Sequence, residues 1–117
     1  MITYNEAERT FHIKTQNISY IMGVFCNKYL LHLYYGKRID DYSFDFDNLP
    51  VKMQVFSAND IDGSDFSTDV LPMEYPTYGS ADLRTPAFHA EYENGSSVTK
   101  LEYESYKIFD GKKALCA

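Results

Sequence analysis

A chain of 117 residues with 44% hydrophobic content is long enough for one domain with a core of its own, and no apolar run reaches the roughly 20 residues that span a bilayer. A net charge of −6 argues against nucleic acid as a partner, since phosphate binding needs a basic face. Eleven Tyr and eight Phe, with no Trp, favour β structure over helix.

The first residues, MITYNEAERTF, are polar and mixed in charge. They lack a basic start followed by an apolar run, so no signal peptide is read and the expected compartment is the cytoplasm. Thr10 to Thr15 alternates, with Phe11 and Ile13 on one side and His12 and Lys14 on the other, which predicts a half-buried strand. Ser19 to Phe25 is more apolar and suits a central strand, with a bulge or close backbone approach at Gly23. Asn27-Lys28 separates it from the run Tyr29 to Tyr35, which Gly36 ends, and the two runs read as a hairpin.

Residues 40 to 50 alternate Asp with Tyr42, Phe44 and Phe46 and stop at Pro50. Val51 to Phe56 fits a short strand, and Ser57 to Ser67 a polar loop. The next stretch, Leu71 to Pro86, holds three of the four prolines and is neither helix nor ordinary strand. It also carries Leu71, Met73, Tyr75, Tyr78 and Leu83, so it packs against something. Ala87 to Tyr92 predicts a strand with Phe88, Ala90 and Tyr92 on one face. Glu93-Asn94-Gly95-Ser96 predicts a type I′ turn. Val98 to Phe109 predicts a long strand whose apolar face switches near Ser105. Asp110-Gly111 reads as a turn, and Lys112 to Leu115 as the start of a strand. No segment carries an apolar stripe at helical period. Short strands with frequent turns predict an all-β fold, an antiparallel β-sandwich without substantial helix.

Residues that could carry chemistry are few. Asp60-Ile61-Asp62-Gly63-Ser64-Asp65 has the composition of a calcium loop. With Gly63 at the sixth position, however, Ala58 takes the first ligand position and Asp69 stands at the twelfth, so a solvated loop is the better reading. Cys26 and Cys116 form no disulfide framework, and neither has a Cys or His at metal-ligand spacing. No metal and no cofactor are expected. His12, His32 and His89 sit singly in predicted strands without a nucleophile at a recognisable spacing, and read as sheet positions. No catalytic residue is assigned. Tyr75, Tyr78, Asp82 and Arg84 admit two readings. One is an Asp–Arg brace with core tyrosines. The other is an interface or domain-packing surface, since aromatics and Arg are frequent anchors.

The run Phe66-Ser67, Asp69, Leu71, Glu74-Tyr75-Pro76, Tyr78-Gly79, Asp82, Arg84, Pro86 resembles the N-terminal domain of the bacterial family-36 α-galactosidases. Glu93 to Ser96, Val98-Thr99, Leu101 and Tyr103 extend the resemblance, as do Ser19 to Met22 and Leu30, His32 and Leu33 to Lys37. The resemblance implies a β-sandwich domain that precedes a catalytic (β/α)₈ barrel absent from these residues. It implies a parent glycosidase that hydrolyses terminal α-galactosides such as melibiose and raffinose by the retaining mechanism. The family's catalytic aspartates match nothing in this chain. Some relatives place an Asp three residues before the Phe-Ser that corresponds to Phe56-Ser57, and Met53 stands there instead. The expected role is therefore non-catalytic: packing on the barrel, homo-oligomer assembly and shaping of the active-site entrance. The rival expectation is a free-standing carbohydrate-binding or adaptor module.

Overall fold

The computed structural model describes residues 1–44, 71–79 and 84–114. Four strands form one antiparallel sheet in chain order: β1 Ile2–Asn5, β2 Thr10–Lys14, β3 Ile18–Phe25 and β4 Tyr29–Lys37. No helix occurs among the described residues. The all-β, antiparallel class expected from the sequence is the one observed.

β1 is a strand that alternation alone does not announce. Ile2 pairs with Ile13 and Tyr4 with Phe11, so partners on β2 organise it. Asn5 Oδ1 then accepts the N–H groups of Ala7 and Glu8 at 3.0 and 3.2 Å, which starts the turn into β2. β2 and β3 lie where predicted. The β3–β4 turn differs by one residue. Cys26 and Asn27 are its central residues, with φ of 51° and 58°, and Lys28 N–H closes it on the Phe25 carbonyl at 3.1 Å. Positive φ at both positions matches the right-handed twist of the strands, and Lys28 already lies outside the loop. β4 continues through Gly36 to Lys37 because Ser19 and Ile18 still offer ladder partners. The irregularity expected at Gly23 lies between Ile21 and Met22 instead.

The two sheet faces differ. Ile2, Tyr4, Phe11, Ile13 and Met22 share one face by register. Tyr103 and Tyr106 lie over it, with ring centroids 6.4 and 4.9 Å from Phe11. Thr10, His12, Ile21 and Leu31 share the other face and are all buried. β2 is thus covered on both sides, and His12 is 2% exposed. The densest core joins Tyr29, Leu31 and Leu71 with Phe25, Leu33 and Met73 around them.

The second half departs from the expected strands. Ala87 to Tyr92 is not a strand; it makes one isolated bridge, Phe88 with Thr77. Val98 to Phe109 is not a strand either, and its backbone is held at single points, Thr99 N–H on Tyr78 and Tyr103 N–H on Lys28. A strand needs a continuous ladder partner, and none of the described residues supplies one. Because this segment is irregular, Tyr103 and Tyr106, three residues apart, both reach Phe11, and no strand face exists to switch near Ser105. The Glu93–Ser96 turn is present but is not type I′. Gly95 N–H bonds the Tyr92 carbonyl at 2.8 Å, Tyr92 N–H bonds Ser96 at 2.9 Å, and only Gly95 has positive φ, at 79°. That is a type I turn closed by a left-handed glycine bulge. At Lys112 to Ala114 no strand begins, and Leu115 lies outside the described residues.

Candidate interface

The proline-rich stretch packs against the outer edge of β4. His32 N–H bonds the Pro72 carbonyl at 2.7 Å, Glu74 N–H bonds the Leu30 carbonyl at 3.0 Å, and Met73 bridges Leu31. Pro72 has no N–H to give, so it fits an edge where only its carbonyl is used. Leu71 is fully buried against Tyr29 and Leu31 and pins the segment from below.

Glu74 completes a polar cluster on the sheet. Its carboxylate accepts the Tyr20 hydroxyl, and His32 Nδ1 lies 3.0 Å from Oε1. The Tyr20 and His32 rings meet edge to face at 5.2 Å. Burial, then the hydrogen bond and charge of Glu74, push the Tyr20 phenol up to about 12. Three elements thus converge on one carboxylate. Sequence reasoning missed this cluster. The signal was an acid set among Pro and aromatic residues, but only the fold brings Tyr20 and His32 beside it.

The four predicted interface residues separate. Tyr75 and Tyr78 face outward, at 52% and 38% exposure. Arg84 is half-buried and its Nη1 donates to the Leu71 carbonyl at 2.5 Å, so it braces the loop. Asp82 lies outside the described residues, as do Met53 and the Asp60–Asp65 loop. Gly79 directly follows Tyr78. Its φ is 104°, and a Cβ there would stand 2.6 Å from Val98 Cγ1. Glycine is required on both counts.

On the opposite side of the molecule, His12 Nε2 lies 2.8 Å from Ser19 Oγ, and Ile39 N–H also bonds that oxygen at 3.0 Å. Burial, followed by Lys14, lowers the His12 pKa. An open polar cleft beside it, about 640 Å³, is lined by Asn5, Lys14, Asp40 and Tyr42 among others. Asp40 there lies 3.5 Å from Lys14 Nζ and 3.1 Å from Arg38 Nη2, and the Arg38 hydrogen bonds hold its carboxyl below the ordinary range. His89 is exposed. Among the described residues no group of three or more His, Cys, Asp or Glu could hold a metal.

Comparison with known proteins shows which family the chain falls in. The glycosyl hydrolase family 36 N-terminal domain matches residues 28–117. Alpha-galactosidase AgaA of Geobacillus stearothermophilus is 40% identical over 116 residues, which is 97% of this chain and 16% of that protein. The crystal structure of the alpha-galactosidase AgaB from the same organism matches with a TM-score of 0.85 at 40% identity, covering 98% of this chain and 15% of that one. A variant of AgaA solved in complex with raffinose matches with a TM-score of 0.79 at 39% identity, over 91% of this chain and 15% of that one. The chain therefore spans about one-sixth of the length of these relatives. With the family matched over most of its residues and its fold shared with solved members, the chain belongs to the glycosyl hydrolase family 36 N-terminal domain family.

Proposed function

We propose that this chain is the non-catalytic N-terminal part of an α-galactosidase, and that it packs against a catalytic domain, supports assembly and shapes the entrance to the active site. The observation that carries the reading is the family match over residues 28–117, together with 40% identity to an alpha-galactosidase along nearly the whole chain. Its substrates, through the parent enzyme, are α-galactosides of the raffinose type, the sugar bound in one related structure. Within this role Tyr75 and Tyr78 are the packing anchors, because exposed aromatics on a loop braced by Arg84 present large area at small entropic cost.

The purified chain is expected to show no hydrolysis of a nitrophenyl α-galactoside. Calorimetric titration with galactose, melibiose and raffinose is expected to be silent. Robust turnover would overturn the non-catalytic assignment, and binding at millimolar or tighter affinity would replace the packing role with that of a carbohydrate-binding module. In a hybrid where this chain replaces the matching segment of AgaA, activity should survive, and Tyr75→Ala with Tyr78→Ala should lower the yield of folded hybrid enzyme.

A further inference from the structure

The Glu93–Ser96 turn contains the chain's single Asn-Gly pair, Asn94-Gly95. In an unstructured chain this pair is a reactive setting for an asparagine. Glycine has no Cβ to crowd its backbone nitrogen, so that nitrogen can approach the side-chain amide and close a cyclic imide.

The observed turn opposes this step through its hydrogen bonds and its backbone. Gly95 N–H donates to the Tyr92 carbonyl at 2.8 Å, so the proton that must leave before attack is held. Asn94 Oδ1 accepts the Ser96 N–H at 3.0 Å, which fixes the rotation of the side-chain amide. Asn94 also occupies position i+2 of a type I turn, where ψ is about 0°. Ring closure needs Cβ and the Gly95 nitrogen on the same side of the Cα–C bond, and tetrahedral geometry puts that arrangement about 120° away from the turn's ψ. Turning ψ that far carries Gly95 away from Tyr92 and opens the turn. The turn is in turn anchored to the domain. Tyr92 N–H bonds Ser96 at 2.9 Å, and the Tyr92 hydroxyl lies 3.4 Å from Thr99 Oγ1. Thr99 is 8% exposed and donates its N–H to the Tyr78 carbonyl at 3.0 Å.

We propose that Asn94 is a deamidation site that the folded turn keeps closed, so that its modification records opening of the turn. Once the turn opens, the Gly95 nitrogen loses its proton and bonds Asn94 Cγ. The Cγ–Nδ2 bond breaks, and the amide nitrogen leaves as ammonia with a proton gained. Water then opens the imide, giving its hydroxyl to either carbonyl carbon and its proton to the ring nitrogen. Attack at Cγ leaves aspartate, and attack at the backbone carbonyl carbon leaves isoaspartate. Both products put a carboxylate where a neutral amide stood. Isoaspartate also routes the chain through Cβ and Cγ. The longer path no longer matches the spacing of the Tyr92–Gly95 and Tyr92–Ser96 bonds, so an opening that ends in isoaspartate is not reversed.

Deamidation of the folded chain in mildly alkaline buffer, followed by peptide mapping and mass spectrometry, tests this against a synthetic peptide of residues 90–99 and the chain in concentrated urea. Asn94 in the folded chain is expected to react more slowly than in the peptide by about tenfold or more, and urea should bring it to the peptide's rate. Hydrogen exchange at the Gly95 amide in the same buffer should be slowed by a similar factor, because one opening gates both reactions. Equal deamidation rates in the folded chain and the peptide overturn the proposal. Slow deamidation beside a Gly95 amide that exchanges as fast as in the peptide overturns it too, since the protection would then lie outside the turn.

Discussion

Two titratable side chains show how position, not residue type, sets behaviour in this domain. His12 is buried against Ser19 and Tyr42, with Lys14, Arg38 and Asp40 around it, and its pKa is lowered from the ordinary 6.5. The folded state therefore holds fewer protons than the unfolded chain as pH falls below 6.5. Stability is full above that pH and is lost as pH drops through the folded value. Urea midpoints should fall on acidification from neutral pH, and His12→Gln should flatten that dependence. Tyr20 works in the other direction. Its phenol is raised from 10.0 to about 12 by burial and Glu74, so its contribution is complete below pH 10 and is lost as pH rises toward 12. Tyr20→Phe should cost about 1.5 kcal/mol at neutral pH, the worth of a hydrogen bond to a charged group. It should also remove the alkaline loss. A double-mutant cycle with Glu74→Gln should show clear coupling between the two sites. The sequence marks all these residues but not their partners. Ser19 reaches His12 only through the β2–β3 register, and Ile39 reaches Ser19 only through the path of the chain after β4.

At the scale of elements, β2 and the β3–β4 hairpin are legible because alternation, apolar content and turn residues agree. The proline-rich stretch was legible as an irregular, packed segment, and the structure adds its partner, the β4 edge. The strands expected at Ala87 to Tyr92 and Val98 to Phe109 do not form, although the turn between them does. Their β-branched and aromatic content satisfies strand propensity, which describes fitness for a pleated surface and supplies no ladder partner. Glycine positions in this half make a sharp test. Gly79→Ala should cost about 1–3 kcal/mol, since its φ of 104° is strained for any L residue and its Cβ meets Val98. Gly111→Ala meets open space and pays only for its φ of 73°, so thermal melting should separate the two variants clearly. Leu71→Ala should cost about 2–5 kcal/mol and release Pro72–Glu74 from β4, visible as faster amide exchange at His32 and Glu74.

For the whole molecule, the sheet is a platform with different commitments on each side. The β4 edge is occupied by the chain's own Pro72–Glu74 segment, and β1 forms the other edge of the sheet. Tyr75 and Tyr78 project from the β4 side, and the apolar strip of Ile2, Tyr4 and Tyr106 lies toward β1. Replacing Tyr75 and Tyr78 by Ala is expected to leave the thermal midpoint of the isolated chain nearly unchanged, because both side chains are exposed in it. Thr3→Lys is expected to leave the thermal midpoint within about 0.5 kcal/mol of wild type, as for other exposed positions.

What the sequence by itself determined was the class and the family. Period-two alternation and turn chemistry are local properties, and they specify an antiparallel all-β chain; the run from Phe66 to Pro86, with Glu93 to Tyr103, carries the family resemblance. Only the tertiary structure decided what the Leu71–Pro86 segment rests on, that Glu74 gathers Tyr20 and His32, and that β1 forms at all. Each of these depends on contacts between residues far apart in the chain. Such contacts are set by register and burial, and no local pattern encodes them.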